Sequence, residues 1–258
     1  MRLSRFYTAQ ELIVGANFSL GKDLAHYLRN VLRSRPGDQI ILFNGAGGEY
    51  LAQLDSVQKR EVTVSIQGFD PVEAESPLST RLGISVVKRD AMDNILQKST
   101  ELGVTEIQPL ISDLTTVSTK AIKQRDEHWR QIIISACEQC GRNTLPRLLA
   151  PVESLDWLQR QDSELKLALD PSGNHSPMDI GLSENKQPGG ISVLIGPEGG
   201  LSERELALAA ASEFLLIALG KRILRADTAP VAVLSILQSR FGDLRSAAKA
   251  TRQTSDSI

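Results

Sequence analysis

From residue 82 onward the chain alternates short apolar runs with helical patterns, and this alternation restricts the fold more than any other feature. Apolar strands are expected near residues 82–87, 105–111, 165–169, 191–195 and 214–219, with helices over about 91–102 and 126–139. Asp90 is placed to cap the first of these helices and Gly103 to end it. Strands that are apolar throughout must be covered on both faces. Strands separated by helices join most readily in parallel. The expected class is α/β, with a mostly parallel sheet.

Residues 1–70 read differently. Apolar residues alternate with polar ones in 39–43, 50–54 and 62–66, and turn signals divide them at Arg35-Pro36-Gly37-Asp38 and at 44–48. One helical stretch, about 22–32, precedes these strands. Short strands with tight turns suggest a small β-barrel. Residues 70–80, DPVEAESPLST, have the prolines and acidic groups of a linker. The expected division is a barrel domain at 1–72, a linker at 73–80, a larger domain at 81–244 and a polar tail at 245–258. No internal repeat is visible.

Composition narrows the function classes. Hydrophobic residues make up 41% and charged residues 23% of 258, which suffices for sizeable cores. No apolar run is long enough to span a bilayer, and MRLSRFYTAQEL lacks an apolar signal region, so a cytoplasmic protein with no membrane partner is expected. Cys137 and Cys140 form a lone C-x-x-C. With three scattered histidines, His26, His128 and His175, they supply no four-ligand set, and no metal is expected. A formal charge of −2 speaks against a protein coated in positive charge but permits a local basic patch. Such a patch is available in residues 1–35, where Arg2, Arg5, Lys22, Arg29, Arg33 and Arg35 face only Glu11 and Asp23. A solvated surface would look the same.

Two stretches carry the chemistry. In LIGPEGGLSERE (194–205) a buried strand enters a glycine-rich turn and then a helix. Ser202 and Glu205 form a capping box, with Leu201 and Leu206 as the hydrophobic staple. Gly196, Gly199 and Gly200 let a ligand approach the backbone, and Pro197 stiffens the turn. No phosphate-binding glycine motif is present, and Glu198 suits a cationic ligand better than a phosphate. A plain structural turn is the alternative. In LGKRILRADTAP (219–230) a second strand leads to a helix start, with Thr228 the expected cap and Pro230 in the first turn. Lys221, Arg222 and Arg225 there suggest an anionic partner. Both turns should emerge at the carboxyl edge of the sheet, where open α/β sheets bind ligands.

These two segments resemble the signatures of the RsmE family, a branch of the SPOUT methyltransferases. KRDAMDNILQKSTELGVTEIQPL (88–110), ACEQCGRNTLP (136–146) and HYLRNVLRSRPGD (26–38) match in the same order, so the resemblance covers nearly the whole chain. Asp227 departs from it, where relatives commonly carry Glu. Residues 171–187 match nothing. The resemblance implies a deep trefoil knot over about 191–240, a homodimer packed through it, and a PUA-like first domain that binds RNA. It implies S-adenosyl-L-methionine as cofactor. The contacts would come from Leu169 and Asp170, from Ile195, Gly196, Pro197, Glu198, Gly199 and Gly200, and from Leu219, Gly220, Ile223 and Leu224. It implies methylation of N3 of one uridine in 16S rRNA of the small ribosomal subunit.

Arg225 is then the expected cation beside the base, with Arg142 a helper near phosphate or base. Glu198 is either a proton acceptor or a group that holds the loop. Arg2, Arg5, Arg29, Arg33, Arg35, Lys221 and Arg222 are the expected RNA contacts. The alternatives are another SPOUT activity such as ribose 2′-O methylation, a non-catalytic RNA-binding protein, and a nucleotide-binding α/β protein.

Overall fold

The computed structural model describes residues 3–59, 61–178, 180 and 188–245. Arg2, residues 246–258 of the tail, and most of the polar loop at 179–187 lie outside the described residues. The chain divides into two compact units. One combines Met1–Glu75 with Glu127–Pro146; the other combines Ser76–Asp126 with Arg147–Ile258.

The first unit contains strands β1 (Arg5–Tyr7) and β2 (Asn17–Ser19), helix α1 (Lys22–Asn30), and strands β3 (Gln39–Phe43), β4 (Glu49–Val57) and β5 (Val62–Asp70). The strands form one sheet in the order β1-β3-β4-β5-β2. Period-two burial does what the sequence pattern demands: Val62, Val64 and Ile66 point inward with Ala52, Leu54, Ile40 and Leu42, and α1 adds Ala25 and Leu28 to the same core. Register shifts at Leu51/Ala52 and Leu54/Ser56 bend the long β4–β5 pair. The helix stops two residues short of the expected end. Arg33 adopts a left-handed φ of 55°, and Ser34 N–H turns back to the Leu28 carbonyl at 3.0 Å.

The sheet is an open ladder among the described residues, not a closed barrel, with β1 and β2 as its edges. A side chain from much later in the chain covers the β1 edge: Tyr7 N–H donates to Glu138 Oε1 at 3.0 Å.

The second unit begins with β6 (Thr80–Ser85), α2 (Arg89–Glu101), β7 (Glu106–Ile111) and α3 (Thr119–Lys123). The chain then returns to the first unit as α4 (Asp126–Cys140). The contacts therefore divide the chain differently from a single boundary near residue 80. Polar bonds hold the returning segment: Arg5 donates to Asn143 Oδ1 at 2.6 Å, and Asn143 Nδ2 donates to the Val72 carbonyl at 2.7 Å. Cys137 and Cys140, both unbridged, sit on α4. Burial pushes the Cys137 thiol up to about 12.

The rest of the second unit is β8 (Arg147–Leu148), β9 (Val152–Glu153), α5 (Ser154–Gln159), β10 (Leu165–Leu169), β11 (Ile191–Ile195), α6 (Glu203–Ala211), β12 (Leu215–Ile217) and α7 (Thr228–Phe241). Its sheet runs β12-β10-β11-β6-β7, with β8 and β9 both on the far side of β7. Every pairing is parallel. Ala168 and Leu194 pack with Trp157, Leu158 and Ala209, while the alternate positions Leu167, Val193 and Ile195 are buried as well, so both faces are covered.

Two expected helix caps differ. Lys88, not Asp90, is the N-cap of α2, and Asp90 instead places its charge in the first turn. Thr228 is the first residue of α7 and the N-cap is Asp227, with no side-chain capping bond. The Arg225 carbonyl takes the N–H groups of Thr228 and Ala229 at 2.9 and 3.0 Å, which leaves no vacancy for a side-chain cap. Gly103 ends α2 as expected, with φ +77° and Val104 N–H bonded to the Ser99 carbonyl.

α7 buries Val233, Leu234, Leu237 and Phe241. Gln238, also buried, accepts from Ser76 Oγ at 2.6 Å and donates to the Leu102 carbonyl at 2.8 Å. The Arg240 guanidinium donates to the carbonyls of Pro177 and Ile180 in the β10–β11 connection. No helix among the described residues is long and apolar enough to cross a membrane.

Candidate functional site: a cleft at the carboxyl rim of the parallel sheet

Register brings three loops together. Leu169 pairs with both Ile195 and Ile217, and Ile195 pairs with Ile84, so β10, β11, β12 and β6 end at one level. The connections from β6 and β11 then diverge across the sheet, which makes this a topological switch point. A cavity of about 570 Å³ opens there. Its walls are residues 169–171, 195–201, 219–220 and 222–227, with Ala91, Ile217 and Ala229. The size lies within the roughly 300–1,000 Å³ usual for small-molecule sites.

Local chemistry fixes each wall. Gly200 N–H bonds to the Pro197 carbonyl at 2.9 Å and closes the glycine turn on itself. A Cβ at Gly196 would stand 2.9 Å from the Gly200 carbonyl carbon, so only glycine permits this fold-back. Gly220 has φ +87° and reverses the second loop after β12. Asp170 N–H bonds to the Ile217 carbonyl at 3.0 Å, and Asp170 Oδ1 accepts Ser172 N–H at 2.8 Å, which fixes the first wall.

The helix start beyond the glycine turn is anchored more deeply than a capping box requires. The box is present, with Ser202 Oγ accepting Glu205 N–H at 3.1 Å and Glu205 Oε2 accepting Ser202 N–H at 2.8 Å. Glu205 has no solvent exposure, and its other oxygen accepts Asp113 N–H at 3.3 Å and the Ser154 hydroxyl. Ser202 also donates to Asp113 Oδ2 at 2.6 Å. The capping pattern was visible in the sequence; the roles of Asp113 and Ser154 were not, because they lie 92 and 51 residues from Glu205.

All of the residues expected to hold a cofactor line this cavity, together with Glu198 and Arg225. Arg222 lines it too, whereas Lys221 is exposed and does not. Sequence reasoning missed Ala91, Pro171, Leu201, Ile217, Ala226, Asp227 and Ala229, which also line the cavity. The lining carries Asp170, Glu198 and Asp227 against Arg222 and Arg225, so acidic and basic groups share one cleft.

Two expected arginine roles are corrected. Arg142 lies in the first unit, 3% exposed, and its guanidinium makes a two-point bond to Glu75, with Nε–Oε1 2.9 Å and Nη2–Oε2 2.6 Å. It is a structural ion pair, not a wall of the cavity. Arg5, expected on RNA, has a buried side chain that pairs with Glu49, donates to Asn143 and lies 5.1 Å from the centre of the Phe43 ring. Arg33 and Arg35 are exposed and Arg29 is half-buried. Among the described residues no group of three or more His, Cys, Asp or Glu is arranged to hold a metal ion.

Comparison with known proteins agrees with this geometry. A family model described as an RNA methyltransferase domain matches residues 74–238, and one described as an RNA methyltransferase PUA domain matches residues 20–67. Ribosomal RNA small subunit methyltransferase E from Buchnera aphidicola (subspecies Schizaphis graminum) is 34% identical over 246 residues, covering 94% of this chain and 98% of that protein. The crystal structure of ribosomal RNA small subunit methyltransferase E from Neisseria gonorrhoeae, bound to S-adenosyl methionine, is 39% identical with a TM-score of 0.86, covering 94% and 99% of the two chains. A methyltransferase structure from Legionella pneumophila in complex with the bound cofactor SAM is 37% identical with a TM-score of 0.89, covering 94% and 100%. With its parallel-sheet cleft, its preceding PUA-like domain and this end-to-end similarity, the chain belongs to the ribosomal RNA small subunit methyltransferase E family.

Proposed function

We propose that the chain transfers a methyl group from S-adenosylmethionine to N3 of one uridine in 16S rRNA of the small ribosomal subunit. The observation that carries this reading is the rim cleft, in which a glycine-backed acidic wall stands with Arg225. The residues present fit the cofactor. Gly196 and Gly220 expose backbone, Leu169, Ile195, Leu219 and Leu224 offer apolar surface for a planar base, and Glu198 suits a cation. When bound, the cofactor's sulfonium supplies an electrophilic methyl group.

The chain's own residues must handle the base. Uridine N3 is protonated at neutral pH and is a poor nucleophile. As its proton leaves, negative charge spreads onto O2 and O4. Arg225, exposed on the cavity wall, is the cation that favours that charge. Glu198 accepts the N3 proton or orients the base. Arg33 and Arg35, exposed just after α1, and Arg29 hold the RNA backbone.

The same reading includes threading of the last helix, and a homodimer. The bonds from Arg240 to Pro177 and Ile180, which tie the β10–β11 connection across α7, support the threading. Ile223, 83% exposed at the cleft, offers apolar surface to a second copy.

The test is in vitro methylation of small subunits from a strain lacking the enzyme, with the product nucleoside identified by mass spectrometry. N3-methyluridine is the expected product. A ribose-methylated nucleoside, or no transfer, overturns the reading.

A further inference from the structure

A second cavity, of about 910 Å³, is lined wholly by residues of the first unit. β1, α1 and one face of α4 enclose it. Its walls combine three kinds of group. Tyr27 packs T-shaped against Phe6 at 69° and is still 44% exposed, which leaves ring surface for stacking, and Leu32 and Ile134 extend the apolar side. Lys22 and Arg130 are both exposed where they border the cavity. Glu138 lies half-buried on α4, with Oε1 taken by Tyr7 N–H at 3.0 Å. Burial raises its carboxyl above the ordinary range.

An aromatic face, cations and a polar edge in one cleft are the elements that take up unpaired nucleotides. The carboxyl narrows the choice of base. Each carboxylate oxygen has a second lone pair, so Glu138 retains acceptor capacity beside its bond to Tyr7. Guanine alone among the four RNA bases presents two adjacent donors, N1–H and the N2 amine, on its Watson–Crick edge. Adenine and cytosine place a ring acceptor beside their amine, and uracil flanks its single donor with carbonyls.

We propose that this cavity receives an unpaired guanine nucleotide of the RNA substrate, with Glu138 reading the base edge, Tyr27 stacking on the ring, and Lys22 and Arg130 meeting the phosphate. The proposal rests on the reading of RNA as substrate and adds to it a base-specific contact in the first unit.

The full-length protein, saturated with S-adenosylmethionine to block the rim cleft, is titrated with each of the four nucleoside 5′-monophosphates while the Tyr7 amide resonance is followed. Guanosine monophosphate is expected to shift it with an affinity about fivefold or more above the other three. Glu138→Gln keeps an acceptor for Tyr7 N–H, so the fold is retained, and it should abolish the preference. Tyr27→Ala should weaken all four nucleotides alike. With small subunits as substrate, Glu138→Gln should raise KM about threefold or more at unchanged kcat. No guanine preference in the wild type, or a preference that survives Glu138→Gln, overturns the proposal. If wild-type protein fails to methylate small subunits, the methyl-transfer reading falls, and the titration still decides the cavity.

Discussion

Glu205 and Ser202 exchange hydrogen bonds in both directions across the first turn of α6, at 3.1 and 2.8 Å, and Glu205 does so with no solvent exposure. The same carboxylate holds Asp113 N–H and the Ser154 hydroxyl. Glu205→Ala removes the shared acceptor of three donors at once, the buried Ser154 hydroxyl among them. It should lower unfolding free energy by about 2–4 kcal/mol in urea titrations. It should also weaken S-adenosylmethionine binding by calorimetry, because the turn carrying Glu198 loses its anchor. Unchanged stability would refute the anchoring role.

Arg225 borders the cleft and is exposed there, so its guanidinium can reach the substrate. Arg225→Ala should cut turnover about 100-fold or more while leaving cofactor affinity within about twofold. Single-turnover assays and calorimetry separate the two. Normal turnover would remove Arg225 from the mechanism.

Gly196 and Gly220 should fail differently. A Cβ at Gly196 meets backbone of Gly200 at 2.9 and 3.1 Å, so Gly196→Ala must open the turn. An alanine at Gly220 meets no atom within 4 Å but must accept φ +87°. Gly196→Ala is expected to weaken cofactor binding about tenfold or more, and Gly220→Ala to cost only about 1 kcal/mol of stability. Equal losses in cofactor affinity would contradict the fold-back.

Arg29, Arg33 and Arg35 are expected on RNA phosphates. Replacing all three with alanine should lower RNA affinity and flatten its salt dependence by roughly two to three charges. Filter binding across a salt series reads both. Identical slopes would assign the arginines to solvent.

Cys137 ties stability to alkaline pH. Its thiol is raised by burial to about 12 from the ordinary 9.0. The unfolded chain therefore releases this proton at lower pH than the folded one. The thiol's contribution is complete below about pH 9 and is lost as pH climbs from there toward 12, with a slope approaching about 1.4 kcal/mol per pH unit. Urea unfolding at pH 8 to 10.5 should show wild type losing stability faster than Cys137→Ala. Parallel curves would show that the thiol titrates normally.

Much of this architecture was legible in the chain. The apolar runs at 165–169 and 191–195 gave β10 and β11 to the residue, because fully buried strands leave an unbroken signal. The capping box at Ser202 was equally plain, since its partners are three residues apart. What the sequence hid was long-range. Thr228 looks like a cap, but a carbonyl three residues earlier does that work. Arg5 and Arg142 look like free cations, and only the fold brings them Glu49 and Glu75. Asp113 and Ser154 carry no local signal at all.

The first unit is written in two instalments, Met1–Glu75 and Glu127–Pro146, separated by a strand-helix-strand-helix portion of its neighbour. During synthesis, Tyr7 and Arg5 leave the ribosome some 130 residues ahead of Glu138 and Asn143, the groups that complete them. The nascent amino-terminal sheet must therefore wait, one edge bare, until translation has passed residue 146. A gene fragment ending at residue 75 encodes a domain without its closing helix.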